Sequence, residues 1–273
     1  MIEDIFAFCE EHRIKGIGAR WLVAEMSSGL PAIIDMRDQG IVGLILNGGL
    51  PTSGAVPFEI IGGKLNEENA LPFYRNLMAK AAALDIEWLD VSSCSDVSHL
   101  SEQFVAVQEG CLNYTEIEMV CEKLESQEAA PLPENWRWED LSRERAPQYE
   151  ALRRAAFQGI PGVVLGAGTA SYESLSNLKM RLLVTPHEIA GSIRFDPASG
   201  FIWSILRHPH YRGQGVGVIL MEELARLYRG AKASLCVIDR NFPALKLYRR
   251  YGFFSFLERP FYKVRVKGVN SRS

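Results

Sequence analysis

One stretch limits what this 273-residue chain can fold into more than any other. Ile205-Leu-Arg-His-Pro-His-Tyr-Arg-Gly-Gln-Gly-Val-Gly217 lies between a strand-like run, Phe201 to Leu206, and a helical one, Val216 to Arg229. A strand that enters a helix through glycines leaves its backbone open to close approach, because glycine has no Cβ. The N–H groups of the loop and the positive end of the helix then face one point, which suits an anion such as a diphosphate. Arg212, Gly215 and Gly217 satisfy the pattern Arg/Gln-x-x-Gly-x-Gly/Ala. A P-loop is excluded, since Val218 and Ile219 stand where Lys and Ser/Thr would hold a nucleotide's γ-phosphate and Mg²⁺. A dinucleotide fingerprint fits poorly, because the glycine spacing differs and the preceding strands form a hairpin rather than opening a βαβ unit. On the loop alone a third reading stays open, a glycine turn that merely joins strand to helix.

The surroundings supply context. Arg145 to Phe157 reads as a helix and Tyr172 to Leu178 as a shorter one. Met180 to Thr185, Glu188 to Phe195 and Phe201 to Leu206 read as strands, the last two paired as a hairpin across the turn cluster Asp196–Gly200. After the loop, Leu220, Leu224 and Leu227 line one helix face. Ala233 to Ile238 is a buried strand, Pro243 to Tyr251 a helix, and Phe253 to Val266 a pair of strands broken at Pro260. This order predicts a mixed α/β domain with a central sheet.

A second constellation follows that strand: Asn241-x-x-Ala244-x-x-Leu247-Tyr248-x-x-x-Gly252-Phe253. Taken with the glycine loop, in this order and with this intervening structure, the chain over residues 135–266 resembles the GNAT superfamily of acyl-CoA-dependent N-acyltransferases. The resemblance implies the GNAT α/β fold and acetyl-CoA as co-substrate, with no metal. Ile205, Leu206 and Arg207 would offer the free edge of a splayed strand to the pantetheine arm. The pyrophosphate would sit on the amides of Gly213, Gln214, Gly215, Val216, Gly217 and Val218, with Arg212 at the head of the loop. Asn241 looks like the contact to the CoA arm, and Tyr248 like the general acid that protonates the departing thiolate.

The residues themselves admit plainer roles. Tyr248 also suits a packed aromatic on an amphipathic helix, and Asn241 a helix N-cap. No general base is assigned: the strand Phe201 to His208 contains no carboxylate, while His208, His210, Glu188 and Glu173 are available. The reading is an N-acetyltransferase acting on a primary amine of a small molecule or peptide. The alternative is a CoA-binding regulatory protein without turnover. The acceptor is not legible, although the run Gln158 to Ser171, between the first two helices, is where this fold borders it. Val163-Val-Leu-Gly-Ala-Gly-Thr169 imitates a dinucleotide loop, but Ser171 stands where its third glycine belongs.

The first half repeats the element order without the chemistry. Helix Pro72 to Leu84, strand Ile86 to Val91, a helix from Ser98 ended by Gly110, and strand Tyr114 to Cys121 parallel the order from Val216 onward. A shift of about 146 residues puts Asn66, Asn69 and Leu71 in place of Arg212, Gly215 and Gly217. A shift of about 142 puts His99 and Ala106 in place of Asn241 and Tyr248. The expected organisation is a degenerate GNAT-like domain over 1–125, a linker over 126–134 where prolines interrupt the periodicity, and a catalytic domain over 135–273. An unrelated α/β domain in the first half remains the alternative, since element order is a weak warrant.

Composition bounds the rest. A net charge of −3, from 30 Lys+Arg against 33 Asp+Glu, provides no global field for nucleic acid or an anionic membrane. No apolar run spans a bilayer, and the acidic N-terminal segment does not resemble a secretory signal, so a cytoplasmic protein is expected. The five cysteines form no metal-ligand spacing and are expected to be reduced and mostly packed in the core.

Overall fold

A computed structural model of the chain describes residues 2–12, 32–46, 49–51, 54–92, 104–106, 108–127, 131–161, 164–166 and 178–266. It divides into two compact units. The first comprises 1–114, 159–169 and 259–273, and the second 115–158 and 170–258. The division is therefore not one cut near residue 130: the second unit begins at Thr115, and the first takes up residues 259–273.

The second unit contains strands β6 (Cys111–Cys121, from Thr115 on), β7 (Arg137–Asp140), β9 (Lys179–Val184), β10 (Ile189–Asp196), β11 (Phe201–Arg207) and β12 (Ala233–Ile238). They lie in the order β6-β12-β11-β10-β9-β7. All neighbours run antiparallel except β11 and β12. In β9 alternate residues serve opposite faces, and β10 does the same apart from an irregularity between Ile189 and Gly191. Leu182, Val184 and Ile189 join Tyr149 and Leu152 of the helix Ala146–Phe157. Leu183, Ala190 and Ile193 join Val216, Leu220 and Leu224 of the helix Val216–Tyr228, and Leu245 of the helix Phe242–Arg250. A period of two in the strands against i, i+4 in the helices thus builds a helix–sheet–helix sandwich.

The first unit repeats the plan. Helix α1 (Ile2–Glu11) packs Ile5, Phe6 and Cys9 on Val42, Leu44 and Ile61. Helix α2 (Ala70–Ala83) packs Phe73, Leu77 and Ala81 against Ile41, Ile45 and Phe58 on the opposite face. The sheet runs β1 (Ala32–Met36), β2 (Ile41–Ile45), β4 (Val56–Gly63), β5 (Trp88–Ser92) and then β13 (Phe254–Arg265). A separate two-stranded ribbon pairs β3 (Gly49–Pro51) with β8 (Val164–Gly166). The apolar run Gly40 to Leu46, too short to span a bilayer, contains the buried strand β2. The remaining helices are α3 (146–157), α4 (216–228) and α5 (242–250).

Several expectations are corrected. Phe253 to Val266 is not two strands but one, β13, which passes through Pro260. Pairing with β5 starts at Phe261↔Ser92, so the missing N–H of Pro260 costs no bond in that ladder. Ser126 and Gln127 in the expected linker are tied to α4: Ser126 Oγ and the Gln127 N–H both donate to the buried Glu222, which also accepts from Tyr251 OH at 2.6 Å. Burial alone would raise the Glu222 carboxyl, but these donors outweigh it and hold it below the ordinary value. Strand β7, with Trp136 and Trp138 near it, had no predicted counterpart. Cys9 and Cys121 are buried as expected, but Cys111 and Cys236 are exposed. The helix expected over Tyr172 to Leu178 lies outside the described residues. No helix of the described residues is long and apolar enough to cross a membrane.

Candidate active site

Strands β11 and β12 run parallel but pair only at Phe201↔Ser234 and Ile202↔Leu235. Beyond that they separate, although each continues in extended form to Arg207 and Ile238. The other edge of β11 stays bonded to β10 as far as Gly191↔Arg207, with one irregularity: Arg194 pairs with Ser204 and Phe195 with Ile202, so Trp203 is an extra residue. A bulge at this point turns the strand away from β12. The result is a wedge in which Ile205, Leu206 and Arg207 have an edge with no ladder partner in β12.

At the end of β11 the chain makes a short 3-10 turn, Pro209–Tyr211, and enters α4 through the glycine loop. Gly213 and Gly215 both have φ of +77°, a region that side chains with a Cβ rarely adopt, and space around each is open. Gly217 serves a different purpose: a Cβ there would stand 3.0 Å from Leu247, so it lets α4 and α5 pack closely. Gly215 caps α4, and the N–H groups of Gly213, Gly215, Val216 and Gly217 have no hydrogen-bond partner among the described residues. Two amides that the resemblance places in the cradle are used internally. Val218 N–H donates to Gly215 O at 2.9 Å, because the first turn of α4 closes tightly, and Gln214 N–H donates to Tyr211 O at 3.4 Å. Arg207 is half-buried and Arg212 exposed, and neither has an ion-pair partner among the described residues.

Asn241 caps α5, its Oδ1 accepting the Ala244 N–H at 3.4 Å, which leaves the side-chain NH₂ outside the cap. Tyr248 is 8% exposed and lies in the core cluster between α4, α5 and the sheet, its ring 6.0 Å from that of Phe253. Burial pushes its phenol well above the ordinary value. Such a hydroxyl stays protonated and is able to donate.

The first unit contains the same wedge. There β4 and β5 pair only at Val56↔Leu89 and Pro57↔Asp90. Asn69 caps α2 as Gly215 caps α4, so the 146-residue shift puts cap on cap. The loop differs in what it leaves open. Asn69 Oδ1 accepts the Asn66 N–H at 2.8 Å, and Asn66 Oδ1 accepts the N–H groups of Glu68 and Asn69 at 2.9 Å each. Asn69 Nδ2 donates to Gln39 O and Lys64 O. Two asparagine side chains thus take up N–H groups of this loop within the chain. Ala106 is exposed, and His99 lies outside the described residues.

Other features escaped the sequence reading. Ser192 and Ser204 have buried Oγ atoms with no hydrogen-bond partner among the described residues, an uncommon state that marks room for water or a substrate group. They sit on the paired strands β10 and β11, and nothing in their local sequence sets them apart. Of the four groups considered as bases, Glu188, His208 and His210 stand together at the end of β11, while Glu173 lies outside the described residues. A cleft of about 540 Å³ lies among Asp140, Lys179, Arg181, Phe195 and Arg226. It is at the wrong end for the loop, since Lys179 pairs with Phe195 and the loop follows Arg207, which pairs with Gly191. Its charges are already spent in ion pairs, Arg181 on Asp140 at 2.9 Å and Arg226 on Glu223 at 2.7 Å.

Comparison with known proteins agrees with this geometry. Residues 120–253 match the family model of the Acetyltransferase (GNAT) family. A search of curated proteins by sequence finds no match. Among solved structures, a GCN5-related N-acetyltransferase from Anabaena variabilis is similar with a TM-score of 0.62 at 11% identity, over 97% of this chain and 70% of that one. A tandem GNAT protein from the clavulanic acid biosynthesis pathway gives 0.59 at 11% identity, over 97% and 94%. A GCN5-related N-acetyltransferase from Sphaerobacter thermophilus gives 0.58 at 14%, over 84% and 78%. At these identities the structural likeness concerns the fold alone, and it extends over both units. Residues 120–253 thus form a GNAT acetyltransferase family domain, and the chain as a whole has the fold of tandem GNAT proteins.

Proposed function

We propose that the second unit transfers an acetyl group from acetyl-CoA to a primary amine of a small molecule or peptide, by direct attack within a ternary complex. One observation carries the reading: four backbone N–H groups without partners, on a left-handed glycine loop at the start of α4, open beside a strand whose inner edge is unpaired. Among the described residues only this loop of the two units has its amides open in this way. Gly213, Gly215, Val216 and Gly217 hold the diphosphate, with Arg212 and Arg207 adding charge. Ile205, Leu206 and Arg207 pair with the pantetheine arm, and the Asn241 amide contacts the same arm. The cradle and the strand edge hold the thioester in place for the amine, so catalysis is largely positioning. Tyr248 gives its proton to the departing thiolate.

Replacing Tyr248 by Phe tests the assignment. Turnover, followed as thiol release from acetyl-CoA across a panel of amines, falls by about 10²-fold or more while acetyl-CoA affinity changes by less than about threefold. An unchanged rate removes Tyr248 from the chemistry. Failure of the intact chain to bind acetyl-CoA removes the whole reading.

A further inference from the structure

The turn before β10 and the end of β11 bring together three side chains that the chemistry above does not use. Glu188 Oε2 lies 3.4 Å from His208 Nε2, and Glu188 Oε1 lies 3.1 Å from His210 Nδ1. All three ligand-type atoms fall within 4.8 Å of one another. Two atoms bound tetrahedrally at about 2.0–2.1 Å to one zinc-sized ion are themselves separated by about 3.3–3.4 Å. The two glutamate–histidine separations therefore already stand close to the edge lengths of a tetrahedral site, and the histidine–histidine one lies within 4.8 Å.

Both segments that carry these groups are pinned. Thr185 Oγ1 accepts the N–H groups of His187 and Glu188 at 3.2 and 3.1 Å, donates to Glu188 O at 3.0 Å, and lies 3.3 Å from Tyr211 OH. On the other segment His208 N–H donates to Ala190 O at 2.9 Å, and Tyr211 N–H to His208 O at 3.0 Å. Tyr211 is packed edge-on to Trp136. Such a frame holds ligands in place before an ion arrives. His208 is 17% exposed and Glu188 34%, while His210 at 75% faces solvent and leaves the remaining coordination to water.

We propose that Glu188, His208 and His210 form a three-ligand site for one divalent transition-metal ion of the zinc class. Two imidazoles and a carboxylate are the donor set such ions take, whereas magnesium and calcium favour oxygen alone. Binding shifts the proton of both rings: His210 Nδ1, whose proton faces Glu188 Oε1 at 3.1 Å, takes the ion, so that proton moves to Nε2. His208 Nδ1 now accepts the His210 N–H at 3.3 Å, so the neutral ring carries its proton on Nε2, toward Glu188. The ion takes Nε2, the ring proton moves to Nδ1, and that long contact is given up. The site does not depend on the acyl-CoA reading.

The test uses the full chain, treated with chelator and then titrated with Co²⁺ and, in competition, Zn²⁺, without CoA. One equivalent of Co²⁺ develops the intense visible bands of tetrahedral coordination, and Zn²⁺ removes them. Glu188→Gln, His208→Gln and His210→Gln each weaken binding by at least about tenfold, while Cys111→Ser with Cys236→Ser, which removes the two exposed thiols among the described residues, leaves it unchanged. His210 is exposed, so its variant keeps the fold and keeps the test decisive if His208→Gln misfolds. Absence of tetrahedral bands, or bands that survive His210→Gln and Glu188→Gln, overturns the proposal.

Discussion

Asp90 shows how a single side chain carries a cost that the sequence hides. It is fully buried on β5, accepts from Asn113 Nδ2 at 2.6 Å through Oδ1, and has no partner for Oδ2. Burial pushes its carboxyl up to about 6, against the opposing pull of Asn113 and Lys263. The folded chain therefore keeps a proton that the unfolded chain has released, and stability contributed by this group falls as pH rises from about 4 to about 6, then levels off. A shift of this size corresponds to roughly 3 kcal/mol. Denaturant unfolding of wild type and Asp90→Asn across that window measures it: the wild type loses stability relative to the variant as pH rises. A difference that stays constant with pH sinks the account. Residues of the loop divide in the same way. Gly213 and Gly215 are required by backbone conformation and Gly217 by a neighbour's side chain, although all three look alike in the pattern.

At the scale of elements, two strand–loop–helix units of one ancestry of shape differ in whether their helix end is open. In α4 the first amides have no internal acceptor; before α2 the N–H groups of Glu68 and Asn69 go to Asn66 Oδ1, and that of Ala70, the first of the helix, goes to Asn66 O. An asparagine side chain that bonds the local backbone stabilises the turn but competes with any external anion. Isothermal titration of acetyl-CoA into the intact chain accordingly gives a stoichiometry of one, and Gly215→Glu, which sets a carboxylate against the cradle in a strained conformation, gives none. A stoichiometry of two, or binding that survives Gly215→Glu, is incompatible with these roles for the two loops.

At the scale of the molecule, each unit includes a strand from the half of the sequence that mainly builds the other. Six residue pairs join β12 to β6, from Ala233↔Cys121 to Ile238↔Glu116, and five join β13 to β5. Residues 135–273 alone would leave β12 with its antiparallel neighbour missing and Met119, Cys121 and Leu124 absent from the core. Such a fragment is expected to be insoluble or molten, with weak near-UV circular dichroism and no acetyl-CoA binding. A fragment that folds and binds would show that β6 is dispensable.

The helices and strands around the loop were legible because their periodicity and caps are local: α4, α5, β11 and β12 follow within two residues of the runs read from sequence. Legible too was the repeat, since Asn69 and Gly215 do fall on equivalent caps. Three things were not. The partner of a strand is chosen by edges and register across more than a hundred residues, so the exchange of β6 and β13 leaves no local trace. Which amides of the loop are open depends on whether nearby carbonyls reach them, and this excluded Gln214 and Val218. The meeting of Glu188 with His210, 22 residues apart, comes from the register of β10 against β11 and from no spacing pattern. The sequence by itself determined the family and the place of the glycine loop, because both rest on residue types at short range. Tertiary structure alone decided the unit boundaries, the open donors and the histidine–glutamate cluster, because hydrogen-bond pairing between distant segments sets all three.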